Sequence, residues 1–499
     1  MPLAEAIMCH AVSRPHGPAF RIEGRIFTFG QLAADATSIL GVIEQWMAAK
    51  AGGSILSDRA RLIAIQSGNH PLFPAAFIAA TAGGNCAALI DPHLPTATRR
   101  RMIEQLRPDI VIHTVGDALR LERPTTGETA LFETAAEGFR PIPVGKEGEP
   151  FLIVFTSGTT GEPKAIIRDR RSWRLSLETG QYFFGIGAET TTYAPGPPAH
   201  GLTLYALAET LKAGAEFVGA WHFDPRQAMA TIAAGKVKRL VLVPTMLRRL
   251  CEQAEGTTLP SVEAITVAGA KLTPADRKAA SLAFPAARVI EYYGASELGF
   301  ISVADASDSL VPTAVGKAFP GVRLAILDEA GNDLPAGEIG TISVESALIS
   351  DGYIVGGDGA GFSRNGNLAT VGDLGFLDPD GTLHLIGRAG GMVLSGGNNI
   401  YPSEVEAAIT AASEVRAVSV LGLDHPDLGA EVAAVIQPRG DAFDHGSLQR
   451  HLDAALPRYK HPRKIWLCRD MPMTASGKIA TKELRQWIAE GNGALERLV

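Results

Sequence analysis

A chain of 499 residues is longer than one hydrophobic core ordinarily grows, so at least two domains are expected. Its 46% hydrophobic content supports globular packing, while 46 Lys+Arg against 53 Asp+Glu disfavour the basic surplus on which nucleic-acid contact draws. The four cysteines, Cys9, Cys86, Cys251 and Cys468, form no CxxC pair, which argues against a zinc site or a disulfide framework and for a reducing, cytoplasmic setting. Glycine, at 54 residues, makes up about 11% of the chain against a usual ~7%. That excess is needed where backbone turns tightly or approaches a ligand, so phosphate-binding loops are worth seeking.

The N-terminal MPLAEAIMCHAVSRPHGPAF has no basic segment followed by an apolar run and does not read as a signal peptide. Residues 71–90 carry no charge and are long enough to span a bilayer. They are alanine-rich and interrupted by Gly83, Gly84 and Asn85, so they read as a buried helix followed by a short strand, with no membrane span. From Arg61 onward, RLIAIQSGN, PLFPAAFIAATAG, NCAALID, a helix to Leu106 and DIVIHT alternate short apolar runs with helix-length segments, the pattern of parallel βαβ units.

FLIVFTSGTTGEPK (151–164) runs a buried-type strand into a loop of Thr156, Ser157, Gly158, Thr159, Thr160 and Gly161, closed by Lys164. Hydroxyls and glycine-freed amides can cradle phosphate oxygens, with the lysine adding positive charge opposite them. The Walker spacing is absent, and the same residues also fit a Ser/Thr-rich surface turn.

A second βα series follows. RLVLVPT (239–245) leads to a helix begun by Thr245, VEAITVAGA (262–270) to one begun by Thr273-Pro274, and RVIEYYG (288–294) closes it. Ligands bind beyond the carboxyl ends of such strands, so 268–271 and 293–297 should face one crevice. Beyond Gly387 the GRAGGMVLSGG stretch reads as a hinge. Ser403 and Glu406 read as a capping box, followed by strands RAVSVLGL and AEVAAVIQP, a helix ending near Leu456, strand KIWLCR and a last helix. The expected fold is α/β: a large N-terminal domain, 1–388, built on βαβ-containing parallel sheets, and a small α+β C-terminal domain, 389–499, joined by the hinge.

TSGTTGEPK, YGASE (293–297), VGDLG (371–375), GR (387–388), SGGNNIYPSEVE (395–406) and TASGKI (474–479) resemble, in order and spacing, the adenylate-forming superfamily of acyl-CoA synthetases, nonribosomal adenylation domains and firefly luciferase. The resemblance runs from about residue 20 to the C-terminus and is nearest in character to the acyl-CoA synthetases. It implies that Thr156, Ser157, Gly158, Thr159, Thr160, Gly161 and Lys164 hold the phosphates of ATP. Tyr293 would stack beside adenine, with Gly269 and Ala270 lining the base. Gly294 belongs to the same nucleotide site, and Ser296 and Glu297 approach the phosphates. Glu297, with Thr160, would hold Mg²⁺, a hard cation suited to carboxylate and phosphate oxygens. Asp373 would accept from the ribose hydroxyls, and Arg388 would reach the same nucleotide; a hinge-region salt bridge is its alternative. Gly396 and Gly397 would move toward a thiol tunnel.

The resemblance also implies that Lys478 is the catalytic lysine of the small domain and that His200, in YAPGPPAHGLTLYAL, borders the acyl pocket; a purely structural histidine remains the alternative there. That segment lacks the aspartate that would offset a buried substrate ammonium, so an α-amino acid substrate is disfavoured. The pocket is expected near 182–186, 196–204 and 266–270, where Phe183 and Phe184 allow a fatty or an aryl acid. Three features depart from the superfamily's pattern: Gly390-Gly391 replace a hinge aspartate or lysine, Ala165 follows Lys164, and Thr481 replaces a common arginine.

The expected chemistry is attack of a carboxylate on ATP with loss of pyrophosphate, then rotation of the small domain and transfer of the acyl group to coenzyme A. ATP, Mg²⁺ and coenzyme A are thus the expected cofactors. An acyl carrier protein as acceptor is the nearest alternative, and a non-catalytic nucleotide-binding relative is the other.

Overall fold

The computed structural model describes residues 2–47, 53–56, 59–135, 138–157, 163–234, 236–254, 256–305, 311, 313–356, 361–388, 391–395, 398–474 and 477–499. The first apolar series forms the expected units: strand Arg61–Gln66, helix Phe73–Ala80, strand Asn85–Leu89, helix Thr96–Leu106 and strand Ile110–Val115. Arg61–Gln66 pairs in parallel with both neighbouring strands, Leu62 opposite Cys86 and Ile63 opposite Ile110. Strands Pro150–Ser157, Pro163–Asp169 and Gly352–Val355 extend this eight-stranded sheet on one side.

The uncharged 71–90 segment divides as its glycines predict. Every residue of helix Phe73–Ala80 is buried, which accounts for its being apolar all round. Gly83, at φ +52°, then turns the chain into the next strand. The Arg170 guanidinium donates to the carbonyls of Thr81, at 2.7 Å, and Asn85, at 2.6 Å, satisfying buried acceptors at the break. No described helix is long and apolar enough to cross a membrane.

The second series builds a larger mixed sheet. Arg239–Leu242, Ala264–Val267 and Arg288–Ala295 run parallel, and Gly299–Asp305 returns antiparallel to the last. Helix Pro274–Ala283 starts as predicted: the Thr273 hydroxyl accepts from the Asp276 amide and the Asp276 carboxylate from the Thr273 amide, each at 3.0 Å. The C-terminal domain is a six-stranded sheet that includes Val393–Ser395, Asn398–Ile400, Val415–His425, Gly429–Pro438 and Lys464–Cys468. Helices Pro402–Thr410, His445–Ala455 and Thr481–Glu490 complete the order read from sequence. The fold is α/β with a larger N-terminal and a smaller C-terminal domain.

Two predicted helix starts are corrected. Helix Pro244–Ala254 begins one residue before Thr245, and helix Pro402–Thr410 one residue before Ser403. A proline fits the first helical position, so a hydroxyl residue after it falls inside the first turn and cannot cap. Ser403 Oγ instead donates to the Ile386 carbonyl, and Glu406 Oε1 accepts from the Val420 amide at 2.8 Å, tying the helix to strand Val415–His425.

Glu406 is half-buried there, and burial pushes its carboxyl up to about 7 from an ordinary 4.5, against the pull of the Val420 amide. A raised carboxyl contributes stability that is fully present below its unfolded value and is lost as pH rises through its folded one. Glu406→Gln keeps an acceptor but cannot ionise. Its thermal midpoint should therefore match the parent's near pH 4 and exceed it near pH 8; an offset that stays constant between those pH values would refute the assignment.

Candidate active site

The turn after strand Arg288–Ala295 is shaped by its glycines. A Cβ at Gly294 would lie 2.6 Å from the Gly299 carbonyl, so the hairpin closes only without one. The closure presents Tyr293 and Glu297 at the carboxyl end of the strand. Tyr293 Oη donates to Asp373 Oδ2, and Asp373, itself buried, faces Arg388 across the antiparallel pair Asp373–Leu377 and Leu383–Arg388. The structure thus brings Tyr293, Asp373 and the Arg388 backbone together. The Arg388 side chain lies outside the described residues.

Glu297 is 6% exposed. Its Oε1 accepts from Tyr353 Oη at 2.7 Å, and its carbonyl accepts from the Ser350 amide at 2.8 Å. Arg168, buried in strand Pro163–Asp169, donates from Nη1 to the Ser296 carbonyl at 2.7 Å and from Nη2 to the Leu348 carbonyl. Burial lowers the Arg168 pKa to about 10, with nearby carboxylates opposing the shift. A buried cation thus anchors the backbone that carries Ser296 and Glu297.

Strands Pro150–Ser157 and Pro163–Asp169 pair antiparallel, with Thr156 opposite Lys164 and Ser157 opposite Pro163, so both described ends of the predicted phosphate segment lie in one strand pair. Gly158, Thr159, Thr160 and Gly161 lie outside the described residues, as do the side chains of Thr156 and Ser157. Lys164 is buried, its ammonium 5.2 Å from the centre of the Tyr353 ring.

Gly269 and Ala270 are exposed just beyond strand Ala264–Val267, Gly269 with φ +94°. A Cβ on Gly269 would stand 3.3 Å from Lys478 Cε and 3.9 Å from its Nζ. The lysine of the small domain therefore lies against the segment expected to line adenine. Gly477, at φ +77°, makes the turn before it, and its carbonyl accepts from Thr245 Oγ1 at 2.7 Å. The hydroxyl that does not cap its own helix thus joins the large domain to the Lys478 turn. Gly396 and Gly397, between strands Val393–Ser395 and Asn398–Ile400, lie outside the described residues, as do 389 and 390 of the expected hinge.

His200 immediately precedes helix Gly201–Ala213, and its Nε2 lies 3.3 Å from Asp91 Oδ2. Their side chains are 34% and 5% exposed. Burial alone would raise the Asp91 carboxyl, yet the His200 contact and the His93 amide outweigh it and hold it below the usual carboxylate range. Sequence reasoning missed Asp91, although the rule applied to later strands places it beyond the carboxyl end of Asn85–Leu89. It also missed Arg168, Tyr353 and Thr245, whose hydrogen-bond partners named here are at least 128, 56 and 232 residues away and leave no local pattern.

Among the described residues no group of three or more His, Cys, Asp or Glu side chains could hold a metal ion by itself. Mg²⁺ needs no such cage, because it is commonly bound by one or two carboxylates plus substrate phosphates. A buried Glu297 with one oxygen already oriented fits that requirement.

The AMP-binding enzyme family matches residues 10–354, and the AMP-binding enzyme C-terminal domain matches 404–478. The uncharacterized acyl–CoA ligase YhfT of Bacillus subtilis (strain 168) is 30% identical over 433 residues, 86% of this chain and 88% of that one. A provisionally named long chain fatty acid-CoA ligase, VraA of Staphylococcus haemolyticus (strain JCSC1435), is 32% identical over 341 residues, covering 68% and 70% of the two chains. Among solved structures, ATP-bound MatB from Rhodopseudomonas palustris superposes with a TM-score of 0.81 at 23% identity, over 97% of this chain and 98% of that one. The chain belongs to the AMP-binding enzyme family.

Proposed function

We propose that this protein activates a carboxylic acid with ATP and transfers the acyl group to coenzyme A. The observation that supports this reading is the closeness of Lys478, from the smaller C-terminal domain, to Gly269 in the segment expected to line adenine. An oxygen of the acid attacks the α-phosphorus of ATP, forming the acyl-adenylate as the bond to pyrophosphate breaks. The Lys478 ammonium stabilises the charge developing between carboxylate and α-phosphate, and the 156–164 segment holds the phosphates. Glu297 and Thr160 would hold Mg²⁺, which when bound neutralises charge on the phosphate oxygens. His200, oriented by Asp91, borders the acid. After the small domain, 389–499, turns away from the large one, 1–388, the thiolate of coenzyme A attacks the acyl carbonyl and AMP leaves.

Acid-dependent pyrophosphate release across a panel of fatty and aryl carboxylates, followed by detection of acyl-CoA, tests the reading. No release with any acid would leave a nucleotide-binding protein. Release followed by acylation of a phosphopantetheinylated carrier protein, with free coenzyme A inert, would replace the acceptor.

Asp373 and Tyr293 are assigned to ribose and base, groups whose charge does not change during the reaction, so their contacts amount to uniform binding. Asp373→Ala should raise the apparent KM for ATP about tenfold or more, in keeping with a lost charged hydrogen bond, while kcat at saturating ATP changes much less. Equal losses in both constants, or an unchanged KM, would remove Asp373 from the nucleotide site.

A further inference from the structure

Tyr353 belongs to none of the sequence motifs, yet it joins two of them. It lies on edge strand Gly352–Val355, which pairs antiparallel with Pro163–Asp169, placing Tyr353 opposite Ile166. That partner strand is the one leaving the predicted phosphate hairpin. The Tyr353 hydroxyl crosses to the other motif and donates to Glu297 Oε1 at 2.7 Å. The Lys164 ammonium faces its ring at 5.2 Å, and Phe362 meets the ring edge-on at 6.2 Å. Gly361 closes over the pair: a Cβ there would stand 3.4 Å from Tyr353 Oη and 4.0 Å from Lys164 Nζ. One aromatic side chain thus contacts the lysine that ends the phosphate segment and the acid assigned to the metal.

We propose that Tyr353 is a positioning residue that fixes the rotamer of Glu297, occupying Oε1 so that Oε2 is presented to the divalent cation of the nucleotide. The proposal rests on the assignment of Glu297 made above. A carboxylate with two unconstrained oxygens swings about its terminal torsion, which is broad and nearly two-fold. A hydrogen bond to one oxygen selects one setting in advance, as outer partners of metal ligands generally do. The donor is suited to that task, because a phenol keeps its proton across the physiological range and its ring is clamped on one face by a cation and at its edge by Phe362.

The test uses the intact enzyme with Mn²⁺ as the probe and α,β-methylene-ATP, which cannot release pyrophosphate, as the nucleotide. Free Mn²⁺ is read by electron paramagnetic resonance. Tyr353→Phe keeps the ring beside Lys164 and removes only the hydroxyl, so its thermal midpoint should stay close to the parent's. Mn²⁺ affinity in the ternary complex should fall about tenfold or more. In turnover, the loss should appear as a higher Mg²⁺ concentration at half-maximal rate, with the rate at saturating Mg²⁺ nearly kept. The double variant Tyr353→Phe with Glu297→Gln should bind Mn²⁺ no more weakly than Glu297→Gln alone, because the tyrosine acts through the acid. Parent-like Mn²⁺ affinity in Tyr353→Phe, when Glu297→Gln has lost it, would overturn the proposal, and so would additive losses in the double variant. If Glu297→Gln itself binds Mn²⁺ as the parent does, the assignment of Glu297 falls and this inference falls with it, an outcome distinct from failure of the tyrosine alone.

Discussion

Lys478→Ala is expected to lose acid-dependent pyrophosphate release by about 10²–10³-fold, roughly 3–4 kcal/mol, the usual cost of removing a preorganised charge from a developing anion. The same variant should convert chemically prepared acyl-adenylate to thioester near the parent rate. The asymmetry follows from where the lysine is held. Its side chain reaches Gly269, while its turn is fastened by the Thr245 hydroxyl on the Gly477 carbonyl and by the Lys478 amide on Thr474 Oγ1 at 3.1 Å. Both fastenings use hydroxyl and backbone atoms, which an alanine at 478 keeps while it removes the charge. Arginine should rescue poorly. The Cε of lysine already stands 3.3 Å from where a Cβ on Gly269 would be, and a planar fork on a longer stem does not fit the place of a compact point charge. Single-turnover rates from acid plus ATP and from the adenylate decide the matter. Comparable slowing of both would mean that Lys478 serves both steps or is structural, and alternation of the small domain between half-reactions would have to be given up.

The succession of strands and helices was legible because each signal was local. RLIAIQ stops at Ser67-Gly68 and RLVL just before the proline that starts a helix, and glycines such as Gly83 and Gly477 sit where a positive φ is required. Helix starts were legible only where the hydroxyl residue precedes the proline. Thr273-Pro274 caps as read, whereas Pro244-Thr245 and Pro402-Ser403 reverse that order and put the hydroxyl inside the helix. Those displaced hydroxyls are then available for distant carbonyls, Gly477 for Thr245 and Ile386 for Ser403. The site divides in the same way. Tyr293, Glu297, Asp373 and Lys478 stand in motifs with a fixed local spacing and could be named from sequence. Asp91, Arg168 and Tyr353 act through contacts with residues far away in the sequence, and a charged residue inside an apolar run such as KAIIRD gives no sign of which carbonyl it will meet. The expected phosphate contacts of 158–161 and the thiol-side role of Gly396 and Gly397 fall outside the described residues.

Arg239→Met should destabilise the large domain by about 3–5 kcal/mol, because it breaks a buried ion pair from one side. Arg239 opens strand Arg239–Leu242, and Glu209 lies on helix Gly201–Ala213; their side chains are 2% and 1% exposed, with Nη1 2.5 Å from Oε1. The guanidinium also donates from Nε to Thr266 Oγ1 at 3.2 Å and lies over the Phe184 ring at 5.2 Å. Glu209 is served less well. Its Oε2 has no hydrogen-bond partner among the described residues, and burial pushes its carboxyl up despite the opposing pull of Arg239. Without the arginine only the burial remains, so the acid would take up a proton on folding. The deficit of Arg239→Met should then grow as pH rises above the ordinary glutamate range, since a raised carboxyl loses its contribution in that direction. Pairing Arg239→Met with Glu209→Leu removes both charges and fills the space with hydrocarbon, which recovers most of the loss if desolvation dominates this pair. Phe184, which the guanidinium covers, also packs on Tyr292 and Phe300, so the pair lies beside one of the two phenylalanines expected to shape the acid pocket. Denaturant midpoints of the parent, the single and the double variant, at about pH 6 and about pH 8, separate the outcomes. A double variant as unstable as the single one would mean that the attraction between Arg239 and Glu209 exceeds the cost of burying them, and that this pair is a net stabiliser of the large domain.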